Sequence, residues 1–157
     1  DGRGWFRESW RANVLEAHID VPFRVAQNNH SRSLPRVLRG FHAEPWHKLF
    51  YVARGRAMVA VADIRRDSPS FGQVFTTMLG DLPGTHARIF VQRGLANAFY
   101  CYDEVDYINE VSEPFSPEGR GGVAWDDPDL AVDWPDKTPI LSASDRALPS
   151  LAAYVAG

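Results

Sequence analysis

Short runs of β-branched and aromatic residues, broken at close intervals by glycine- and proline-bearing turns, constrain this chain more than any other feature. Such runs occupy residues 48–52, 58–64, 74–79, 87–92, 98–102 and 105–111. Gly80-Asp81-Leu82-Pro83-Gly84 and Gln92-Arg93-Gly94 separate some of them, and clusters of this kind end strands. Residues 48–52 and 58–64 read as the clearest hairpin, joined around Arg54-Gly55-Arg56. Met58-Val59-Ala60-Val61-Ala62 is almost wholly apolar, which predicts a strand buried on both faces. About eight to ten short strands at such spacing imply an all-β sandwich or barrel.

Outside that block the signals are weaker. Residues 14–19 suit a strand or a short helix, and 23–27 alternate well enough for a strand. Asn28-Asn29-His30-Ser31 reads as a turn. Residues 114–139 are rich in Gly, Pro and Asp, as expected of an ordered surface excursion. Only 142–156 reads as helical, with Ser142 or Ser144 as cap and Pro149 as interruption. No repeat or linker divides the chain, so residues 1–157 are expected to form one domain.

Composition excludes several partners. The net charge is −3 with 24% charged and 45% hydrophobic residues, and no basic block suited to nucleic acid is present. No run of about 20 apolar residues is available to span a bilayer. One cysteine, Cys101, rules out an intrachain disulfide and is compatible with a reducing compartment, the cytoplasm. Its expected role is that of a small packed apolar residue. The chain opens at Asp1 without a methionine, consistent with removal of a leading segment.

The chemistry concentrates in Val37-Leu38-Arg39-Gly40-Phe41-His42 and the residues that follow. Lys48 lies six positions after His42, at equal parity on an extended backbone, so both are expected to face one cavity if no bulge intervenes. A neutral imidazole beside an ammonium suits proton removal next to a carbonyl. The imidazole takes the proton and the cation meets the oxyanion that develops.

Several pieces, in order and spacing, give the chain a resemblance over nearly its whole length. They are Asp1-Gly2-Arg3-Gly4-Trp5-Phe6-Arg7-Glu8-Ser9, Gln27-Asn28-Asn29-His30-Ser31-Arg32-Ser33, Arg39-Gly40-Phe41-His42 with Lys48-Leu49, and Val61-Ala62-Asp63-Ile64-Arg65. Ser68-Pro69-Ser70-Phe71-Gly72, Trp125-Asp126-Asp127-Pro128-Asp129-Leu130 and Leu141-Ser142-Ala143-Ser144-Asp145 complete the set. Together they resemble the cupin-fold dTDP-4-dehydrorhamnose 3,5-epimerase family. The resemblance implies a cupin-type jelly-roll β-sandwich with a short C-terminal helical segment. It also implies a homodimer acting without metal or other cofactor on a nucleotide-diphospho-4-keto-6-deoxyhexose, in deoxysugar biosynthesis.

On the matching positions, the resemblance makes His42 the base, Asp145 its carboxylate partner and Lys48 the cation at the enolate oxygen. Tyr107 becomes the acid that returns a proton to the opposite face. Inversion needs that division, because one group on one face only restores the starting configuration. Arg3 and Arg39 match diphosphate contacts, Gln27, Asn29 and Glu8 polar contacts to the nucleotide, and Phe6 an aromatic near the base. In the family the strand carrying residues 3–8 is exchanged, so Arg3, Phe6 and Glu8 would serve the partner subunit's site.

Three departures stand out. Relatives carry Gly-Phe-Ala-His-Gly-Phe where this chain has Gly94-Leu95-Ala96-Asn97-Ala98-Phe99, so Asn97, a substrate-binding candidate, replaces a histidine and cannot shuttle protons near neutral pH. Ser144 stands where lysine is common. Ser112-Glu113-Pro114-Phe115 replaces paired tyrosines. The pattern implies a specialised relative that inverts one carbon, or takes another deoxysugar or nucleotide.

Each residue alone has a plainer reading. His42 would be a structural histidine, Lys48 a solvated strand residue, Tyr107 a core aromatic and Asp145 a helix N-terminal residue. Asp126, Asp127 and Asp129 would form a turn, and His30, His47 and His86 would be surface or structural. Two other functions compete. One is a metal-dependent cupin enzyme using His42, His47 and a carboxylate such as Glu44, although no third ligand of the usual spacing is evident. The other is a non-catalytic sugar-nucleotide binder.

Overall fold

In the computed structural model, which describes residues 2–157, nine strands form two antiparallel sheets that face each other. The strands are β1 (Gln27–Ser33), β2 (Leu38–Ala43), β3 (Lys48–Arg54), β4 (Arg56–Asp63), β5 (Val74–Gly80), β6 (Ile89–Val91), β7 (Leu95–Cys101), β8 (Val105–Val111) and β9 (Gly121–Gly122). Three short helices accompany them: α1 (Ala12–Glu16), α2 (Ala143–Arg146) and α3 (Leu151–Ala156). One sheet has the order β1-β8-β3-β6 and the other β5-β4-β7-β2-β9. This is the all-β sandwich expected from the turn spacing. Asp1, the first residue of the N-terminal matching piece, lies outside the described residues.

The hairpin expected at 48–64 does not form. β3 and β4 are separated only by Gly55, yet β3 pairs with β6 and β8 while β4 pairs with β5 and β7 in the other sheet. Gly55 is therefore a corner. It has φ +80°, and a Cβ there would run into the Glu104 carbonyl oxygen. Alternating apolar residues give the same pattern in both arrangements, so local sequence did not separate them. The expected burial of the following strand holds: Val59, Ala60 and Ala62 are fully buried, with Met58 and Val61 partly so.

The turn expected at Asn28-Asn29-His30-Ser31 is instead the middle of β1. This edge strand pairs with β8 over its whole length, Gln27 opposite Val111 through Ser33 opposite Val105. Residues 23–26 precede it without forming a strand, and of the ambiguous segment 14–19 only residues 14–16 are helical, as the end of α1.

Two apolar layers hold the molecule together. Between the sheets lie Phe50, Val52, Ala57, Val59, Leu79, Val91, Phe99, Cys101, Val105 and Tyr107. Burial pushes the Cys101 thiol up to about 12, so it packs as an inert side chain, as its setting in the sequence suggested. The second layer covers the back of the five-stranded sheet, where Val123, Leu130, Trp134 and Leu151 meet Leu38, Phe41, Ala60 and Ala98. The excursion at 114–139 is thus partly a covering layer, and its β9 pairs with β2, setting Gly122 opposite His42. The two C-terminal helices are capped by the side chains of Ser142 and Ser150, on either side of Pro149. Asp127 is buried and accepts from the Leu151 amide at 2.8 Å and the Asp129 amide at 3.0 Å, so that acidic cluster is a turn locked onto α3. Among the described residues, no helix is long and apolar enough to cross a membrane.

Candidate active site

One end of the space between the sheets is an open cavity of about 180 Å³ lined by polar side chains. β2 supplies Arg39 and His42, β7 supplies Asn97 and Phe99, β3 supplies Lys48, and the link between β2 and β3 supplies Glu44. From the edge come Asn29 and Ser31 of β1, with Tyr107 and Asn109 of β8. His42 and Lys48 do meet in one cavity, but not as residues of equal parity on one strand. They belong to opposing sheets and face each other across the gap.

The turn into His42 depends on Gly40. It has φ +114°, and a Cβ would lie 2.5 Å from the Asn97 carbonyl oxygen and 2.7 Å from the Ala98 Cα. Only a residue without a side chain lets β2 approach β7 so closely, and the pairing register shifts there between Arg39 and His42.

The His42 side chain is one-third exposed, and its Nε2 lies 2.6 Å from Asp145 Oδ1. A carboxylate only accepts, so Nε2 carries the hydrogen and Nδ1 of the neutral ring keeps its lone pair. Asp145 is buried, and its other oxygen accepts from Ser142 Oγ at 2.7 Å. Burial works to raise this carboxyl, yet the bonds from His42, Ser142 and the Gly40 backbone leave it below the ordinary aspartate range. Ser142, the cap of α2, therefore also aims the aspartate.

Lys48 is almost wholly buried, not the solvated strand residue its sequence context suggests. Its Nζ meets Glu44 Oε2 at 2.9 Å, Asn97 Oδ1 at 2.5 Å and the His42 carbonyl oxygen at 3.4 Å. Burial lowers the Lys48 pKa, with Glu44 opposing that shift. Glu44 itself is raised by burial but ends below its ordinary value because Lys48 and Arg120 lie beside it. Three donors thus have three acceptors, the longest contact being the His42 carbonyl.

Tyr107 lies on the opposing sheet from His42, stacked on Phe99 with ring centroids 4.4 Å apart and beside Phe50 at 5.1 Å. Burial holds its phenol well above the ordinary tyrosine value, with Glu44 adding to the shift and a hydrogen bond with Asn97 opposing it. At neutral pH it is a proton donor.

The other candidates take three different places. Asn29, Arg39 and Asn97 line the cavity, with Arg39 Nε donating to Ser33 Oγ at 2.9 Å. Gln27 stands one step behind, donating to Asn29 Oδ1 at 2.6 Å and accepting from the Phe115 amide at 2.8 Å. Arg3, Phe6 and Glu8 are elsewhere: Arg3, Gly4, Trp5 and Phe6 line a separate depression, Phe6 is 97% exposed, and Glu8 pairs with Arg11 at 2.6 Å. Sequence reading missed Ser31, Phe99 and Asn109, and gave Glu44 only as a metal donor. Their signal was parity: 29 with 31, 107 with 109, and 97 with 99.

The donor set of the metal reading does not assemble. His47 stacks on Phe90 at 5.7 Å and contacts Arg93, away from His42. Glu44 is paired with Lys48. Among the described residues, no group of three or more His, Cys, Asp and Glu side chains is arranged to hold a metal ion.

Two facing antiparallel sheets with a polar cavity at one end and a short helical C-terminal segment define a jelly-roll β-sandwich of the cupin type. Residues 1–153 match the family described as dTDP-4-dehydrorhamnose 3,5-epimerase, and the chain belongs to that family. The enzyme of that name from Pseudomonas aeruginosa is 32% identical over 151 residues, covering 93% of this chain and 82% of that one. Among solved structures, NovW, a 4-keto-6-deoxy sugar epimerase from the novobiocin cluster of Streptomyces spheroides, superposes with a TM-score of 0.92 at 31% identity, covering 99% of this chain and 80% of that one. The Legionella pneumophila RmlC complex with dTDP-4-keto-L-rhamnose gives 0.87 at 34% identity, covering 97% and 82%.

Proposed function

We propose that this chain epimerises a nucleotide-diphospho-4-keto-6-deoxyhexose at carbon 5, carbon 3 or both, as one domain of a cytoplasmic deoxysugar pathway. The observation that carries the reading is the placement of His42 and Tyr107 on opposing walls of one cavity with the Lys48 ammonium between the sheets. In this reading Nδ1 of His42 removes the proton beside the ketone, and Asp145 stabilises the imidazolium. The ketone oxygen replaces the weak His42 carbonyl contact on Lys48, so the enolate forms against a cation already held in place. Tyr107 then protonates the carbon from the other side, which inverts it. Arg39 and Asn29 meet the diphosphate side of the ligand, with Gln27 bracing Asn29.

Arg3, Phe6 and Glu8 complete the pocket of a partner subunit in this proposal. Its support is that the arm presents Trp5 and Phe6 to solvent, 67% and 97% exposed, apart from its own cavity. An exchanged strand in a homodimer would cover both.

The test is incubation with dTDP-4-keto-6-deoxyglucose in heavy water. Deuterium is expected at carbon 5, carbon 3 or both, with product of inverted configuration. A chain that binds the nucleotide but incorporates no deuterium would be a binder, and the reading would fail.

A further inference from the structure

The inner face of the four-stranded sheet carries a polar row that the reaction above does not use in full. Asn29 is directly opposite Asn109 in register, and Ser31 is opposite Tyr107. Asn109 also faces Phe50 of β3. Residues paired in this way share one face of the sheet, and Asn29, Ser31, Tyr107 and Asn109 all line the cavity.

Among the described residues, the Asn109 Oδ1 is the one buried side-chain nitrogen or oxygen without a hydrogen-bond partner. Its neighbours are engaged: Asn29 Oδ1 accepts from Gln27, Arg39 Nε donates to Ser33, and Lys48 meets Glu44 and Asn97. The oxygen itself is buried while the Asn109 side chain lines the cavity, so a ligand donor reaches it when the amide turns toward that cavity, and pairing the orphaned acceptor then favours the bound state. An amide oxygen cannot take a phosphate oxygen, since both only accept at neutral pH. It takes an O–H or N–H. Two residues along a strand span about 7 Å, so Asn109 lies about one hexose width from Tyr107.

We infer that Asn109 is a specificity-determining residue that accepts a hydrogen bond from a hydroxyl on the sugar ring held between His42 and Tyr107. The inference rests on the epimerase reading and adds to it a requirement on the substrate: the ring must carry a donor at the position facing β8. A sugar lacking that hydroxyl leaves the amide oxygen buried and unpaired, which is the condition under which hydrogen-bonding sites discriminate most.

The experiment compares dTDP-4-keto-6-deoxyglucose with its 2-deoxy and 3-deoxy counterparts, using solvent deuterium exchange to obtain kcat/KM. The wild-type protein is expected to lose about ten- to a hundredfold in kcat/KM on one of the two deoxy compounds. Asn109→Leu, of similar volume, should lose a comparable factor on the parent sugar and show a parent-to-deoxy ratio near one. Asn109→Asp retains an acceptor and should restore much of the discrimination. Equal kcat/KM for all three sugars in the wild type would overturn the inference without any variant. So would an unchanged ratio in Asn109→Leu. If the wild type exchanges no deuterium with any of the three, the epimerase reading itself fails, an outcome separate from exchange without discrimination.

Discussion

The two ends of the space between the sheets are built from the same strands and differ completely in character. Stepping two residues at a time, β7 runs Cys101, Phe99, Asn97, β3 runs Val52, Phe50, Lys48, and β8 runs Val105, Tyr107, Asn109. Each strand passes from a small apolar residue through an aromatic to a polar one. The aromatics meet in the middle, Phe99 and Tyr107 nearly parallel at 8° between ring planes. On one side of this aromatic layer the sandwich is closed by Val59, Ala57 and Leu79. On the other, the sheets enclose His42, Lys48 and a cavity. The lesson is that stability and chemistry are separated along the strands rather than between domains, with Tyr107 belonging to both.

This division can be broken in graded ways. His42→Ala, at the polar end, should lower deuterium exchange at every carbon by about a thousandfold while nucleotide affinity and the melting temperature stay close to wild type. Loss of binding together with folding would instead mark a structural histidine. Tyr107→Phe, at the boundary, should lower product inversion by about a hundredfold and wash-in of deuterium much less, because proton removal persists without the opposite-face acid. Equal loss of both would remove Tyr107 from that role.

Leu79→Ala, at the apolar end, should do the reverse. Truncating a fully buried leucine costs about 3 kcal/mol, read as a melting temperature lower by roughly 10 °C. Exchange per folded molecule should be unchanged. A fall in kcat of the folded fraction would show that the two ends are coupled through the aromatic layer.

The smallest effect is expected on the outer face of β8. Hydrogen bonding and charge from Arg32, with help from His30, hold the Asp106 carboxyl down at about 2, against an ordinary 3.8. Because the native state lowers this pKa, its contribution is present above about pH 4 and is lost as pH falls through about 2. Asp106→Asn should therefore reduce stability at neutral pH and flatten part of the acid limb, with the two curves converging near the bottom of that range. Urea unfolding between pH 7 and 2.5 measures it. Parallel curves would mean that the Arg32 pair contributes nothing.

Much of the site was legible because family motifs carry chemistry in short stretches. Arg39-Gly40-Phe41-His42 marked the candidate base, and Leu141-Ser142-Ala143-Ser144-Asp145 marked the carboxylate that the fold brings to 2.6 Å from its imidazole. Two elements differ from that reading for separate reasons. Asn28-Asn29-His30-Ser31 reads as a turn because both faces of this part of β1 are polar, one lining the cavity and the other facing outward, so no apolar alternation exists to announce a strand. The hairpin at Gly55 was misassigned because periodicity records which faces are buried, not which strand is the neighbour.

The sequence by itself determined the all-β class, most of the strand-forming runs from residue 48 onward and, through the family motifs, which residues are candidates for acid, base and cation, since side-chain chemistry and local patterning are properties of the chain. Closure of the sandwich decided the rest. It set His42 and Tyr107 on facing walls, buried Lys48 among three acceptors and left the Asn109 oxygen without a donor. Those relations span tens of residues, and they exist only once the two sheets are packed together.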